Sequence, residues 1–184
     1  MFCMEKIEFL ANGQWRLEKG DMNAKGSSKI RNWVHSGMRD HLKDVPELEG
    51  RQKQKSLNMI SQQTKSRINE KTGEKEHLLY RAAPEKTPHW KDSLTSWTTD
   101  NGMAHYWGSN QNDMHQEAHE SGDKDYMESV GEPHKVHFAW IPEKHIHSHI
   151  NSVIGEGHEK NEGEVLVHPH DVNIFHSETP KNIE

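Results

Sequence analysis

The chain has 184 residues, a length that suits one domain, or one compact domain with a helical extension. Only 30% of the residues are hydrophobic and the mean hydropathy is −1.09, so the core must be small and long stretches polar. The net charge of −6, from 23 Lys and Arg against 29 Asp and Glu, argues against a general nucleic-acid binder, although a local basic patch in the N-terminal third is compatible with it.

Met1–Leu10 interrupts its apolar residues with Glu5, Lys6 and Glu8, so it lacks the apolar region of a signal peptide. The single cysteine, Cys3, permits no internal disulfide framework and fits a reducing compartment. No run approaches the roughly 18 apolar residues of a membrane span. The expectation is a cytoplasmic protein with no membrane partner, and delivery into a host cell by a machine that needs no cleaved signal is compatible with it. Residues 1–26 read as irregular, broken by Gly13, Gly20 and Gly26. A helix is expected over Ser28–Leu42, where Ile30, Trp33, Val34, Met38 and Leu42 recur at helical spacing, Ser27 or Ser28 can cap and Pro46 follows. A second is expected over Gln52–Ile68, carried by Leu57, Ile60, Thr64 and Ile68.

The character changes near Gly73. Residues 77–82 read as a strand closed by Pro84, and 93–98 as another, followed by a turn or helix start at Thr99-Asp100. A short helix is expected over Met103–Trp107. Residues 108–132 are almost wholly polar and read as a loop or solvated helix, a disordered loop being favoured over a target-recognition insertion. Residues 136–141 form a strand stopped by Pro142, 155–163 a Gly- and Glu-rich loop, and 165–167 and 172–175 the last strands. Short strands with few helices between them predict an α+β domain, divided into an N-terminal helical region (1–72) and a core (73–184).

Three features recur in a definite order: Leu78-Leu79-Tyr80-Arg81, then Ser96-Trp97-Thr98 with Tyr106-Trp107 beyond it, then Glu162-Gly163-Glu164 running into Val165-Leu166-Val167. This order resembles the arginine–serine–glutamate class of mono-ADP-ribosyltransferases over about residues 76–176. The chain departs from the family pattern in having Ala82 after the arginine, Ser-Trp-Thr in place of Ser-Thr-Ser, and a short interval between Arg81 and Ser96. The resemblance implies an ADP-ribosyltransferase-like core of two small packed β-sheets with NAD as substrate. It implies that Arg81 holds the pyrophosphate or its ribose, since a guanidinium donates a planar fork of hydrogen bonds. Ser96 and Thr98 would position the ribose, and Trp97, Tyr106 or Trp107 would stack on the nicotinamide. Glu164 would stabilise the oxocarbenium character that develops when the nicotinamide–ribose bond breaks. Glu162, two positions earlier and on the same face if the segment is extended, would address the acceptor. Glu at that position goes with arginine acceptors in the family, so the implied partner is an acceptor protein modified on arginine, with no metal required.

Two other readings compete. His145-x-His147-x-His149, with His168 and His170 beyond, places imidazoles at alternate positions, as a cupin-like metal site would. Sixteen histidines scattered through the chain make the cluster a matter of composition as readily as of function. Mild acid could reverse the sign of the net charge through them. The third reading is a transferase-like fold that has lost turnover and binds partners instead. A toxin, a phage protein acting in its host and an endogenous regulator all fit the sequence.

Overall fold

The computed structural model describes residues 7–9, 15–17, 47–85, 90–91, 94–154 and 162–182. The helix expected over 28–42 lies outside them, as do residues 155–161 of the Gly- and Glu-rich loop. Within the stretch expected to be irregular, β1 (Ile7–Phe9) and β2 (Trp15–Leu17) pair as antiparallel strands, Ile7 opposite Leu17.

Helix α1 (Gly50–Gln63) turns Ser56 and Ile60 inward, with Leu57 packed partly against the core. It stops at Thr64, whose backbone is extended and whose hydroxyl donates to the Leu78 carbonyl at 2.6 Å. The helix expected to run on to Ile68 therefore ends five residues early. Ser66–Ile68 is strand β3, and Ile68, counted as part of an apolar helical stripe, is 60% exposed on it. Asn69 makes the reversal: its side-chain oxygen accepts the backbone N–H of Lys71 at 2.9 Å, and Gly73 takes a left-handed φ of +71°. Strand β4 (Lys75–Pro84) then pairs back on β3, with His77 opposite Ser66.

The remaining elements are β5 (Thr95–Thr98), α2 (Asn101–Ser121), α3 (Lys124–Val130), β6 (His134–Pro142), a single 3-10 turn (Glu143–His145), β7 (Ile146–His149), α4 (Ile150–Ile154), β8 (Glu164–Val167) and β9 (Ile174–Glu178). The chain is α+β. Seven strands form one sheet in the order β7-β8-β5-β4-β6-β9, with β3 also on β4, and each of these pairings is antiparallel. Two small packed sheets were expected; apart from the β1–β2 pair, the described strands form one sheet. The ten-residue β4 shares one edge between two strands: β3 takes Lys75–His77, and β5 takes only Tyr80, opposite Thr98. The sheet is therefore narrow between β4 and β5, and each side of that waist is broad.

The core lies on one face, where Leu79, Ala139 and Ile141 of β4 and β6 meet Ile60 of α1, Trp97 of β5, and Val165 and Val167 of β8. Ten such side chains are enough for a small core and explain the low hydrophobic content.

Residues 108–132, for which a loop was favoured over a solvated helix, are mostly helix. Asp100 caps α2, its carboxylate accepting from the N–H of Gly102 at 2.8 Å, and Gly122 ends it in a left-handed conformation. The inward positions of α2 are Ala104, His105, Gly108, Ser109 and Ala118. They are small or polar, so the helix seats closely without an apolar stripe.

Candidate functional site

Strand alternation sorts the middle motif. On β5, Thr95 and Trp97 share one face, and the Trp97 indole N–H donates to the Thr95 hydroxyl at 3.0 Å. Trp97 is fully buried and packs against Trp90, ring centroids 5.7 Å apart. It is a core residue and points away from the face that carries Ser96 and Thr98. The middle residue of Ser-Trp-Thr is thus free to be large, because it does not face the side on which Ser96 and Thr98 act.

β5 and β8 run antiparallel, with Thr98 opposite Glu164 and Ser96 opposite Leu166. That register sets Ser96 diagonally across from Glu164, and the Ser96 hydroxyl donates to the Glu164 carboxylate. Across the narrow waist, the Arg81 guanidinium reaches from β4 and donates to the Ser96 carbonyl. Thr98 donates its hydroxyl to the Glu162 carbonyl at 2.6 Å. The Thr99 N–H donates to the Gly163 carbonyl at 2.9 Å. The loop that enters β8 is therefore stitched to the end of β5.

Glu162 and Glu164 do not lie on the one extended segment that the spacing suggested. β8 begins at Glu164, and Gly163 has φ +59°, so the segment is not extended through Glu162. A Cβ on Gly163 would lie 2.2 Å from the Thr99 hydroxyl oxygen and 3.3 Å from that of Thr98. Only glycine permits both the left-handed turn and this approach. The turn carries Glu162 to the rim of a cleft of about 270 Å³, which Arg81, Ala82, Ser96, Trp107, Gln111, His134 and Glu162 line. Trp107 of α2 is at this cleft, whereas the neighbouring Tyr106 is 52% exposed and not among its walls.

Gln111, His134 and Gly163 carry no signal in the ordered motif. Gln111 lay in the polar stretch read as a loop or solvated helix. The Gly131-Glu132-Pro133 punctuation before His134 marks the start of a strand but not what the strand faces.

A larger cavity of about 440 Å³ sits at the other end of β4 and β6. Its walls include Arg67, Trp140, Lys144, His145, His170 and Phe175, and none of the motif residues. The smaller cleft is the better candidate because Arg81, Ser96 and Glu162 line it and Glu164, though not among its walls, is bonded to Ser96.

The histidine cluster resolves into separate pairs. His145 stacks on His170, centroids 4.0 Å apart and 4° from parallel, and His147 meets His168 edge-on at 5.3 Å. The His149 ring donates from Nε2 to Gln63 Oε1 at 2.7 Å, and its Nδ1 accepts the Asn151 N–H at 3.2 Å. Both nitrogens are committed to the protein, and burial pushes His149 down to about 4. Among the described residues no three His, Cys, Asp or Glu side chains are placed to hold one metal ion. No helix among them is long and apolar enough to cross a membrane.

Compared with protein-family models, with curated proteins and with solved structures, the chain finds no match.

Proposed function

We propose that this protein is an NAD-dependent mono-ADP-ribosyltransferase, with the α+β fold serving as an ADP-ribosyltransferase-like core. The observation that carries the reading is the hydrogen bond from Ser96 to the Glu164 carboxylate, beside a cleft that also gathers Arg81 and Glu162. That residues from three distant parts of the chain come close there supports the roles that the ordered motif implies.

In this reading the Arg81 guanidinium binds the phosphates of NAD, and Ser96 orients Glu164 toward the ribose 2′-hydroxyl. The C1′–N bond breaks, and nicotinamide leaves with the bonding electrons. The positive charge left on the ribose is stabilised by the Glu164 carboxylate. A guanidinium nitrogen of the acceptor protein attacks C1′, and Glu162 takes the proton that this nitrogen loses. Trp107 supplies the aromatic wall for the nicotinamide, since Trp97 is spent in the core.

Incubation with labelled NAD and a cell lysate tests the reading. Label should pass to protein, nicotinamide should be released, and Glu164→Ala should lower both by about 100-fold or more, the scale of losing one group that stabilises transition-state charge. Glu162→Gln should remove transfer to arginine while sparing part of the NAD hydrolysis. No transfer and no nicotinamide release from the unaltered protein would overturn the proposal.

A further inference from the structure

His134, the first residue of β6, stands in the wall between two cavities. On one side it lines the cleft with Arg81, Ser96, Trp107, Gln111 and Glu162. On the other it lines an adjoining cavity of about 410 Å³ with Glu85, Asn112, Glu132, Lys135 and Thr179. Its backbone is clamped by α2: the His134 N–H donates to Asn112 Oδ1 at 2.7 Å, and its carbonyl accepts from Asn112 Nδ2 at 3.1 Å. The main chain that carries the imidazole is thus held in place, while among the described residues the ring nitrogens have no hydrogen-bond partner. A half-buried imidazole beside a guanidinium, lining both cavities, is in reach of a ligand that spans the two.

We infer that His134 and Arg81 form an anion clamp for the diphosphate of the nucleotide, and that His134 takes up a proton as the diphosphate binds. This rests on the NAD reading above. The cleft alone is small for a dinucleotide, and the diphosphate is the link that would pass the wall where His134 stands.

The charges around the ring set the direction of the effect. Burial, then the Arg81 charge, then His137 push His134 down to about 4, so in the free protein it is neutral at pH 7. Glu162 faces it across the cleft. Glu85, Glu132 and Lys135 face the second cavity, where Lys135 pairs with Glu85 at 3.3 Å. A diphosphate brings two negative charges between Arg81 and His134. It offsets the repulsion from Arg81 and favours the imidazolium, so the bound form titrates higher than the free form. Between those two values the complex holds one more proton than its separate parts, and affinity rises as pH falls. One linked proton limits the change to about tenfold per pH unit.

The test uses ADP-ribose, which keeps the diphosphate and lacks the bond that breaks. Calorimetric titrations at pH 5.5, 6.0 and 7.0, each in two buffers of different ionisation heat, read the protons exchanged, and circular dichroism checks the fold at each pH. Net uptake approaching one proton per ADP-ribose at the lower pH, with binding several-fold tighter than at pH 7, is expected. His134→Gln should abolish the uptake and flatten the pH dependence while Arg81 still supports weaker binding. The ring resonances of His134 in the unaltered protein should also titrate at higher pH with ADP-ribose bound, a readout that needs no variant to fold. Binding without proton uptake, or the same uptake in His134→Gln, would overturn the clamp. If nicotinamide release from NAD is observed alongside that result, the transferase reading stands and the clamp alone falls. If neither release nor binding is found, both fall.

Discussion

At the scale of single residues, Gly163 decides the geometry on which the two glutamates depend. Its φ of +59° and its contact with Thr99 leave no room for a side chain. Gly163→Ala would cost about 1–3 kcal/mol in backbone strain. The loop would relieve that strain by moving away from the end of β5, carrying Glu162 from the cleft and Glu164 from Ser96. Nicotinamide release should fall by at least about tenfold, which needs only 1.4 kcal/mol of lost transition-state stabilisation, while circular dichroism shows the fold retained. Activity within twofold of the unaltered protein would show that the turn does not position the glutamates. The sequence placed Ser96, Glu162 and Glu164 in order, and the structure brings all three to one place. It did not mark Gly163, because a glycine between two acidic residues reads equally well as a solvated loop. Nor did it separate Trp97 from Ser96, because strand alternation says that two faces exist and not which of them is buried.

At the scale of elements, α2 was legible only at its start: a short helix was expected over 103–107, and beyond it a loop was favoured over a solvated helix. Hydrophobic periodicity is the main sequence signal for a helix, and α2 has almost none. Its close seating depends on Gly108, where a Cβ would lie 2.6 Å from Cγ of Pro180 and 3.5 Å from Cβ of Ala82. A proline ring cannot swing aside as a flexible side chain can. Gly108→Val should therefore destabilise the protein by about 1–3 kcal/mol, the usual cost of overpacking. For a chain of this size that lowers Tm by roughly 2–4 °C for each kcal/mol, measurable by thermal denaturation. An unchanged or raised Tm would mean that α2 is not clamped between Ala82 and Pro180. The sequence left a turn or a helix start open at Thr99-Asp100, and the structure makes Asp100 the cap. The C-terminal bound of α1 was not legible. Thr64 and Ile68 keep helical spacing, and the pairing of β3 with β4 overrides it.

At the scale of the whole molecule, three buried histidines matter. His77, His137 and His149 are all under 5% exposed. Burial, the largest cause at each, lowers His77 and His137 from the ordinary value and pushes His149 to about 4. The ordinary value of about 6.5 applies in the unfolded chain. Above it neither state is protonated and the fold keeps its full stability. As pH falls from about 6.5 toward 4, the unfolded chain binds protons that the folded chain refuses. Each such histidine then weakens the fold by up to about 1.4 kcal/mol per pH unit. Urea titrations at pH 7.5, 6.0 and 5.0 should show the midpoint falling steeply with acidification. Equal midpoints at pH 7.5 and 5.0 would contradict this. The reversal of net charge by mild acid that the composition suggests is limited by the same burial, because these rings resist protonation in the folded state.

The amino-acid sequence by itself determined what local chemistry can encode: an α+β chain of short apolar strands, a turn or helix start at Thr99-Asp100, and the order in which Arg81, Ser96 and Glu164 occur. Tertiary structure alone decided what depends on register between distant strands. Ser96 and Glu164 are 68 residues apart and meet only because β5 and β8 pair with Thr98 opposite Glu164. The same pairing sends Trp97 into the core, and the turn at Gly163 brings Glu162 back to the cleft. Periodicity records which residues prefer burial, but it holds no information on which buried strand lies beside which. That pairing is where the three parts of the motif become one site.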